Sequence, residues 1–169
     1  VWPDLVRHAE DRGVRIAIEN CPMLFRDTWP FGKNLARTPA IWRRMFETIP
    51  SKNFGLNYDP SHLRMQLIDP IAPIREFGPR IFHAHAKDMR IDDDRLQNVG
   101  SLELPMERST AKIPGHGDVN WGDFIRALSD VHYSGAVCVE VEDEAFTHTL
   151  EGRQRSLRIS RDVLQPLIT

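Results

Sequence analysis

Ile81-Phe82-His83-Ala84 is a short apolar run that ends in His85, a residue able to bind a metal. Three other runs have the same form. Arg15-Ile16-Ala17-Ile18 ends in Glu19, Phe54-Gly55-Leu56-Asn57-Tyr58 in Asp59, and Ala136-Val137-Cys138-Val139 in Glu140. Each is short, apolar and bounded by turn signals, the pattern of a buried strand. Helix-like sequence lies between consecutive runs. Strand–helix alternation of this kind implies an α/β protein with a parallel sheet. The carboxyl ends of such strands gather on one face, and that face holds the chemistry. Two Glu, one Asp and one His gathered there make a mostly oxygen-donor metal site.

The segments between the runs carry their own signals. Leu5 to Arg12 reads as the end of an amphipathic helix stopped by Gly13. Cys21 to Arg37 holds Pro22, Pro30 and Gly32 and reads as a loop. Thr38 caps the next helix with Pro39 in its first position, and Ile41, Met45 and Ile49 mark its buried stripe. Ser61 is placed to cap a short helix through His62 to Gln66, and Pro70 to Phe77 reads as another helix. A long loop is expected from about Asp88 to Val119, with the acidic stretch Asp92-Asp93-Asp94 and the turn Pro114-Gly115-His116-Gly117. Loops of that length are usually functional or disordered. Asn120 with Asp123 resembles a capping box for a helix to Val131. The last helix covers roughly Leu150 to Leu164, with Leu157 and Arg161 suggesting one buried and one solvated face.

Side chains alternate along a strand. Ala17 therefore shares a face with Glu19, Asn57 with Asp59, His83 with His85, and Cys138 with Glu140. That face is small or polar. The opposite one is Ile16, Ile18, Leu56, Phe82, Val137 and Val139, which suits a barrel with a polar interior mouth and an apolar wall under helices.

The chain has 169 residues, 41% hydrophobic and 27% charged, with a net charge of −2. Those values fit a globular protein and exclude a strongly basic nucleic-acid footprint. No apolar run approaches the roughly 20 residues that span a bilayer. No basic-then-apolar leader is visible, and Cys21 and Cys138 lack metal-type spacing, so reduced thiols in a cytoplasmic protein are expected. The first residue is Val1, which suggests a fragment whose natural protein begins earlier.

Singly, none of the four strand-end residues is specific, because an acidic residue there is most often solvated or a helix cap. Together they are hard to dismiss: three carboxylates side by side repel unless a cation is present. His62, three residues after Asp59, is read as a substrate group. His83 lies beside the metal without binding it. Lys87 is placed to hold a substrate oxygen and Asp88 to orient it, while a plain salt bridge is the simpler alternative. Glu142 belongs to the loop beyond Glu140, and the role of His116 is open. Trp29, Phe31 and Trp121 form either a pocket wall or core.

Five stretches carry a family resemblance: Ile16-Ala17-Ile18-Glu19-Asn20, Asn57-Tyr58-Asp59-Pro60-Ser61-His62, His83-Ala84-His85-Ala86-Lys87-Asp88, Gly115-His116-Gly117-Asp118-Val119-Asn120-Trp121 and Val139-Glu140. In this order they resemble the successive motifs of the xylose-isomerase-like TIM barrels. Within that superfamily they are most similar to the sugar phosphate isomerase/epimerase group, which includes ketose 3-epimerases and inosose dehydratases. The resemblance implies a (β/α)8 barrel in which Glu19, Asp59, His85 and Glu140 match the metal ligands of the last four strands. It also implies that Glu19 and Glu140 act as the acid/base pair and that His62 contacts substrate. A TIM barrel needs about 250 residues, so residues 1–169 are read as the C-terminal half of a single barrel domain.

The expected activity is isomerisation or epimerisation of a sugar or sugar phosphate, by proton abstraction next to a carbonyl through a metal-stabilised enediolate. The catalytic pair is Glu19 and Glu140; His62, His83 and Lys87 bind the substrate, a small sugar or polyol ketone. One divalent ion is expected, manganese first, with magnesium, cobalt or zinc as alternatives. The main alternative is a dehydratase of an inosose- or dehydroshikimate-type substrate. A DNA-repair endonuclease of the same superfamily is disfavoured, because its Asp-x-His is missing from Lys112-Ile113-Pro114-Gly115-His116-Gly117. A non-catalytic metal- or sugar-binding fragment is the remaining alternative. The exposed interior of a half-barrel also suggests association into a homo-oligomer.

Overall fold

The four runs that end in Glu19, Asp59, His85 and Glu140 form one sheet. The structure, a computed structural model, describes residues 1–168. Its strands β1 (Ile16–Glu19), β2 (Phe54–Tyr58), β3 (Ile81–Ala86) and β6 (Val137–Val139) lie side by side in the order β1-β2-β3-β6, every pair parallel. Between and around them run α1 (Trp2–Glu10), α2 (Pro39–Thr48), α3 (Pro60–Met65), α4 (Ala72–Phe77), α5 (Asp93–Val99), α6 (Trp121–Asp130), α7 (Glu144–Thr147) and α8 (Leu150–Ile168). The Thr38 side chain accepts from the Ile41 N–H, and that of Asn120 from the Asp123 N–H, so both caps read from the sequence are present.

The core lies between the sheet and the helices. Leu56, Tyr58, Leu63, Ile74, Ala84 and Phe124 are fully buried there. Trp42 is its largest fully buried member, edge-on to both Tyr58 and Phe77, with its indole N–H donating to Ala36 O at 2.6 Å. This corrects the stripe expected on α2. Trp42 is the only buried residue of that helix, while Ile41, Met45 and Ile49 line an open groove of about 410 Å³ with Trp2, Ile18 and Leu35. On α8 the buried face is Ser156, Ser160 and Leu164, and Leu157 is exposed. The Ser156 and Ser160 hydroxyls donate to Arg153 O and Ser156 O inside their own helix, so they pack without leaving a polar group unsatisfied.

The register of β3 is not regular. Leu56 pairs with Ile81 but Asn57 with His83, so a bulge falls at Phe82. The extra residue reverses the alternation after Ile81. Ile81 faces the core, and His83 and His85 face the opposite, open side. Phe82 was expected on the helix-covered wall. Its ring instead lies on the open side, where a Cβ added to Gly55 would come within 2.6 Å of it. Only a glycine leaves that space.

Between Asp88 and Val119 the expected long loop is replaced by ordered structure. β4 (Asp88–Ile91) and β5 (Ser109–Lys112) form an antiparallel hairpin whose connection holds α5 and a short 3-10 turn at Pro105–Glu107. The strands are four residues each and mostly polar, which hides their alternation. Their buried side, Met89 and Ile91, joins Leu24, Met65 and Leu104 in a second small core. Among the described residues no helix is long and apolar enough to cross a membrane.

Candidate metal centre

Four strand ends deliver four donor side chains to one point. One ligand atom from each of Glu19, Asp59, His85 and Glu140 lies within 4.8 Å of the other three. His85 is at the centre. Its Nδ1 is 3.1 Å from Glu19 Oε1, 3.1 Å from Glu140 Oε2 and 3.8 Å from Asp59 Oδ2.

Local chemistry fixes each donor. Asp59 follows β2 and caps α3; its Oδ1 accepts from the Ser61 N–H at 2.8 Å and from the Ser61 hydroxyl at 2.6 Å. The cap is therefore Asp59, not Ser61 as the sequence suggested, and Pro60 takes the first helical position, which needs no N–H. One oxygen is spent on the cap and the other, Oδ2, turns to the centre. Asn20 continues β1 with its side chain. It donates to Asp59 O at 2.9 Å and accepts from Asp59 N–H at 2.7 Å, tying the Glu19 and Asp59 strand ends together. Asn34 donates to the Glu19 and Cys21 carbonyls and holds the other side of the Glu19 turn. Glu140 is held by its N–H to Ala86 O at 3.3 Å.

Lys87, read from the sequence as a substrate group or a salt bridge, lies beside these donors. It is 1% exposed, and its Nζ lies 2.9 Å from Glu140 Oε2, 3.0 Å from Glu142 Oε2, 3.2 Å from Asp59 Oδ2 and 3.2 Å from His62 Nε2. The structure thus places Lys87 among the carboxylates. His62 is buried 3.4 Å from Asp59 Oδ2 and 3.7 Å from Glu19 Oε1. His83 is one strand step below His85, rings edge-on at 5.5 Å, and supplies no atom to the four-donor group. The Asp88 carboxylate is taken up by donors other than the Lys87 ammonium. It accepts from the N–H groups of Met89, Gly115 and Val119 and from the Trp121 indole, which pins the Gly115–Trp121 segment to the end of β3. Trp121 is core, Phe31 is exposed, Trp29 packs on the second small core, and the His116 ring lies tilted against Phe146 at 5.9 Å.

The charges are strongly coupled. His62 and His85 hold the Glu19 carboxyl far below its usual range. Burial pushes Asp59 up, but His85, His62 and Lys87 outweigh it and leave it lowered. His85 lowers Glu140, against some burial, with help from Lys87. Conversely, Asp59, Glu140 and Glu19 raise His85 to about 11. Burial opposes the charged form of His62, yet Cys21, Glu19 and Asp59 lift it to about 9. Burial likewise opposes the charge on Lys87, and Asp59, Glu140 and Glu142 raise it nonetheless. Protonated His85 therefore balances the carboxylates in the metal-free centre.

A divalent cation fits these residues. Asp59 Oδ2 and Glu140 Oε2 are buried and accept no hydrogen bond, although both lie within ion-pair distance of Lys87. Ligands roughly 2.1 Å from a cation lie about 3 to 4 Å apart, close to the spacing found. Three carboxylates and one imidazole form a hard, oxygen-rich set that suits manganese, magnesium or cobalt and admits zinc. Asn20, Asn34 and Asn57 were not singled out from the sequence as parts of the site. Asn20 and Asn57 act across strands, and only their place in the quoted motifs hinted at it; Asn34 lies in the loop outside those motifs and acts on the turn after Glu19.

A family model described as a xylose isomerase-like TIM barrel matches residues 1–166. The chain is 29% identical over 153 residues to an inosose dehydratase of Clostridium tetani, covering 89% of this chain and 50% of that protein. Its fold is similar to the crystal structure of the IolI protein with a bound zinc atom, at a TM-score of 0.71 and 22% identity, covering 99% of this chain and 55% of the other. A D-psicose 3-epimerase crystallised in the presence of D-fructose gives a TM-score of 0.61 at 22% identity, with 96% and 53% covered. The chain spans about half the length of the curated relatives it matches.

Proposed function

The chain belongs to the xylose isomerase-like TIM-barrel family, and from that premise we propose that it carries the metal centre of an enzyme that removes a proton next to the carbonyl of a sugar, sugar phosphate or polyol ketone. One observation carries this reading: Glu19, Asp59, His85 and Glu140 bring their donor atoms within 4.8 Å of one another. When bound there, a divalent cation supplies a fixed positive charge that holds substrate oxygens and favours negative charge developing on the carbonyl oxygen. Manganese is the first candidate. Zinc is admitted by the donor set, and the IolI structure supports it.

The protein's own groups divide the remaining work. Asp59 is fully buried; its Oδ1 caps α3 and its Oδ2 is left to hold the ion. Glu19 and Glu140 end the two outer strands of the sheet, and their side chains keep about a third of their exposure, 35% and 33%. They flank the centre from opposite sides and are open to a substrate. That placement suits one base and one acid, each within about 3 Å of the proton it moves. The charged neighbours favour the deprotonated form of both. Lys87 acts through the carboxylates it holds, and His62 closes the Glu19–Asp59 side. Four parallel strands are half of the eight in a TIM barrel, so residues 1–169 are read as the C-terminal half of the domain, working with a second half.

Return of the proton to the opposite face gives epimerisation, and to the neighbouring carbon gives isomerisation. The same proton removal followed by loss of a β-hydroxyl gives dehydration. The similarity to an inosose dehydratase favours that second reading. One experiment separates them. The complete protein carrying this chain, loaded with Mn²⁺, is incubated in heavy water with ketoses and inososes. An epimerase or isomerase places deuterium beside the carbonyl without loss of water; a dehydratase gives a product lighter by one water. Product formed with neither label nor water loss would remove Glu19 and Glu140 as exchanging bases.

A further inference from the structure

His85 has two ring nitrogens, and its neighbours treat them differently. Nδ1 faces Glu19, Glu140 and Asp59, while Nε2 is 3.1 Å from the side-chain amide nitrogen of Asn57. The Asn57 amide oxygen is buried and has no hydrogen-bond partner. Side-chain amide oxygen and nitrogen are interchangeable in shape, and the hydrogen bonds decide which is which.

We propose that Asn57 is a positioning residue of the metal centre: its amide oxygen accepts from His85 Nε2–H and so makes Nδ1 the ligating atom. The inference rests on the metal-centre reading above. A histidine binds a metal through a nitrogen that carries no proton, and the other nitrogen then carries one and needs an acceptor. With the amide nitrogen toward Nε2, that nitrogen must accept, and the ring proton sits on Nδ1 among the carboxylates. Turning the amide over gives Oδ1 a partner and leaves the amide N–H group in the unpaired place, so the choice between the two rests on what His85 needs as a ligand. The turned amide puts the ring proton on Nε2 and leaves the Nδ1 lone pair pointing at Glu19, Asp59 and Glu140.

The bulge at Phe82 makes the contact possible. Without it Asn57 would pair with Phe82, and His83 and His85 would turn toward the helices. With it, Asn57 and His85 share the open face of neighbouring strands. A leucine at position 57 would fill nearly the same volume without an acceptor. An aspartate would keep one.

The test uses Zn²⁺ as the probe, because it is diamagnetic. Zn²⁺ affinity is measured by calorimetry, and the His85 tautomer by two-dimensional ¹H–¹⁵N spectra of the imidazole. Zn²⁺-loaded wild type is expected to show His85 protonated on Nε2. Asn57→Leu should bind Zn²⁺ about 10- to 100-fold more weakly, and Asn57→Asp should restore affinity to wild type or above. Ligation through Nε2 in the wild type would overturn the proposal even if Asn57→Leu failed to fold. So would unchanged affinity in a folded Asn57→Leu. Wild type that takes up no Zn²⁺ would bring down the metal centre itself, an outcome distinct from a bound metal indifferent to Asn57.

Discussion

On the helix-covered face of the sheet Leu56 and Tyr58 are fully buried beneath Trp42 of α2, whereas on the opposite face Ala17 and Cys138 stay exposed and Asn57, His83 and His85 are half-buried. The same four strands build both faces. The covered face is held by area removed from water, which depends on volume and shape more than on any one atom. The open face holds its groups by hydrogen bonds and charge, one partner at a time: Asn20 to Asp59, Ser61 to Asp59, Lys87 to Glu140. Stability and chemistry are therefore separable here, and substitutions on the two faces should fail differently.

The largest effect is expected on the covered face. Trp42→Ala removes a fully buried indole with two aromatic neighbours and should cost about 3–5 kcal/mol in urea unfolding. A loss below about 1 kcal/mol would mean that this face is not the main source of stability. Next comes the open face. Glu140→Gln deletes a charged donor from the centre, and Mn²⁺ affinity should fall about 100-fold, about 2.7 kcal/mol, with the fold intact by circular dichroism. Full metal affinity in Glu140→Gln would break the contrast and the four-donor centre together.

Asn20→Ala sits between the two regimes. It removes both bonds to the Asp59 backbone and leaves buried groups unpaired, at a cost of about 1–3 kcal/mol. Because the lost bonds join two strand ends that carry donors, Mn²⁺ affinity should fall as well. Lost stability with unchanged Mn²⁺ affinity would show that Asn20 serves the fold alone.

The smallest effect, on the order of 1 kcal/mol per pH unit, is the pH dependence of the metal-free protein. His62 and His85 are raised above 6.5, to about 9 and about 11. The stability they contribute is complete below pH 6.5 and is lost as pH rises through those values. Glu19, Asp59 and Glu140 are lowered, so their contribution is present above their ordinary range and lost on acidification below it. Thermal unfolding with chelator should therefore show declining stability above pH 6.5. With Mn²⁺ the part due to His85 should vanish, because the neutral ring is the ligand. A flat metal-free profile above pH 6.5 would show that the histidine charges do not balance the carboxylates.

Much of this was legible in the chain. Strand positions followed from short apolar runs between turn signals, and the helix starts at Thr38 and Asn120 from residues whose caps act locally. The donors Glu19, Asp59, His85 and Glu140 were found because each ends its own strand. The β4–β5 hairpin was missed, since Asp88–Ile91 and Ser109–Lys112 are too short and polar to show a period. Asn57 and Asn20 were passed over as parts of the site, and the partners of Lys87 were left unnamed, because each acts on a residue of another strand.

By itself the sequence determined the parallel α/β order and the four strand-end donors, since periodicity, capping and turn formation depend on neighbours a few residues away. Tertiary structure alone decided that the bulge puts Phe82 on the same open face as His83 and His85, that Lys87 sits among the carboxylates, and that Asn57 meets His85 Nε2. Each of these is set by the register between strands. Register is a sum of contacts spread over the whole sheet, and no local stretch of the chain encodes it.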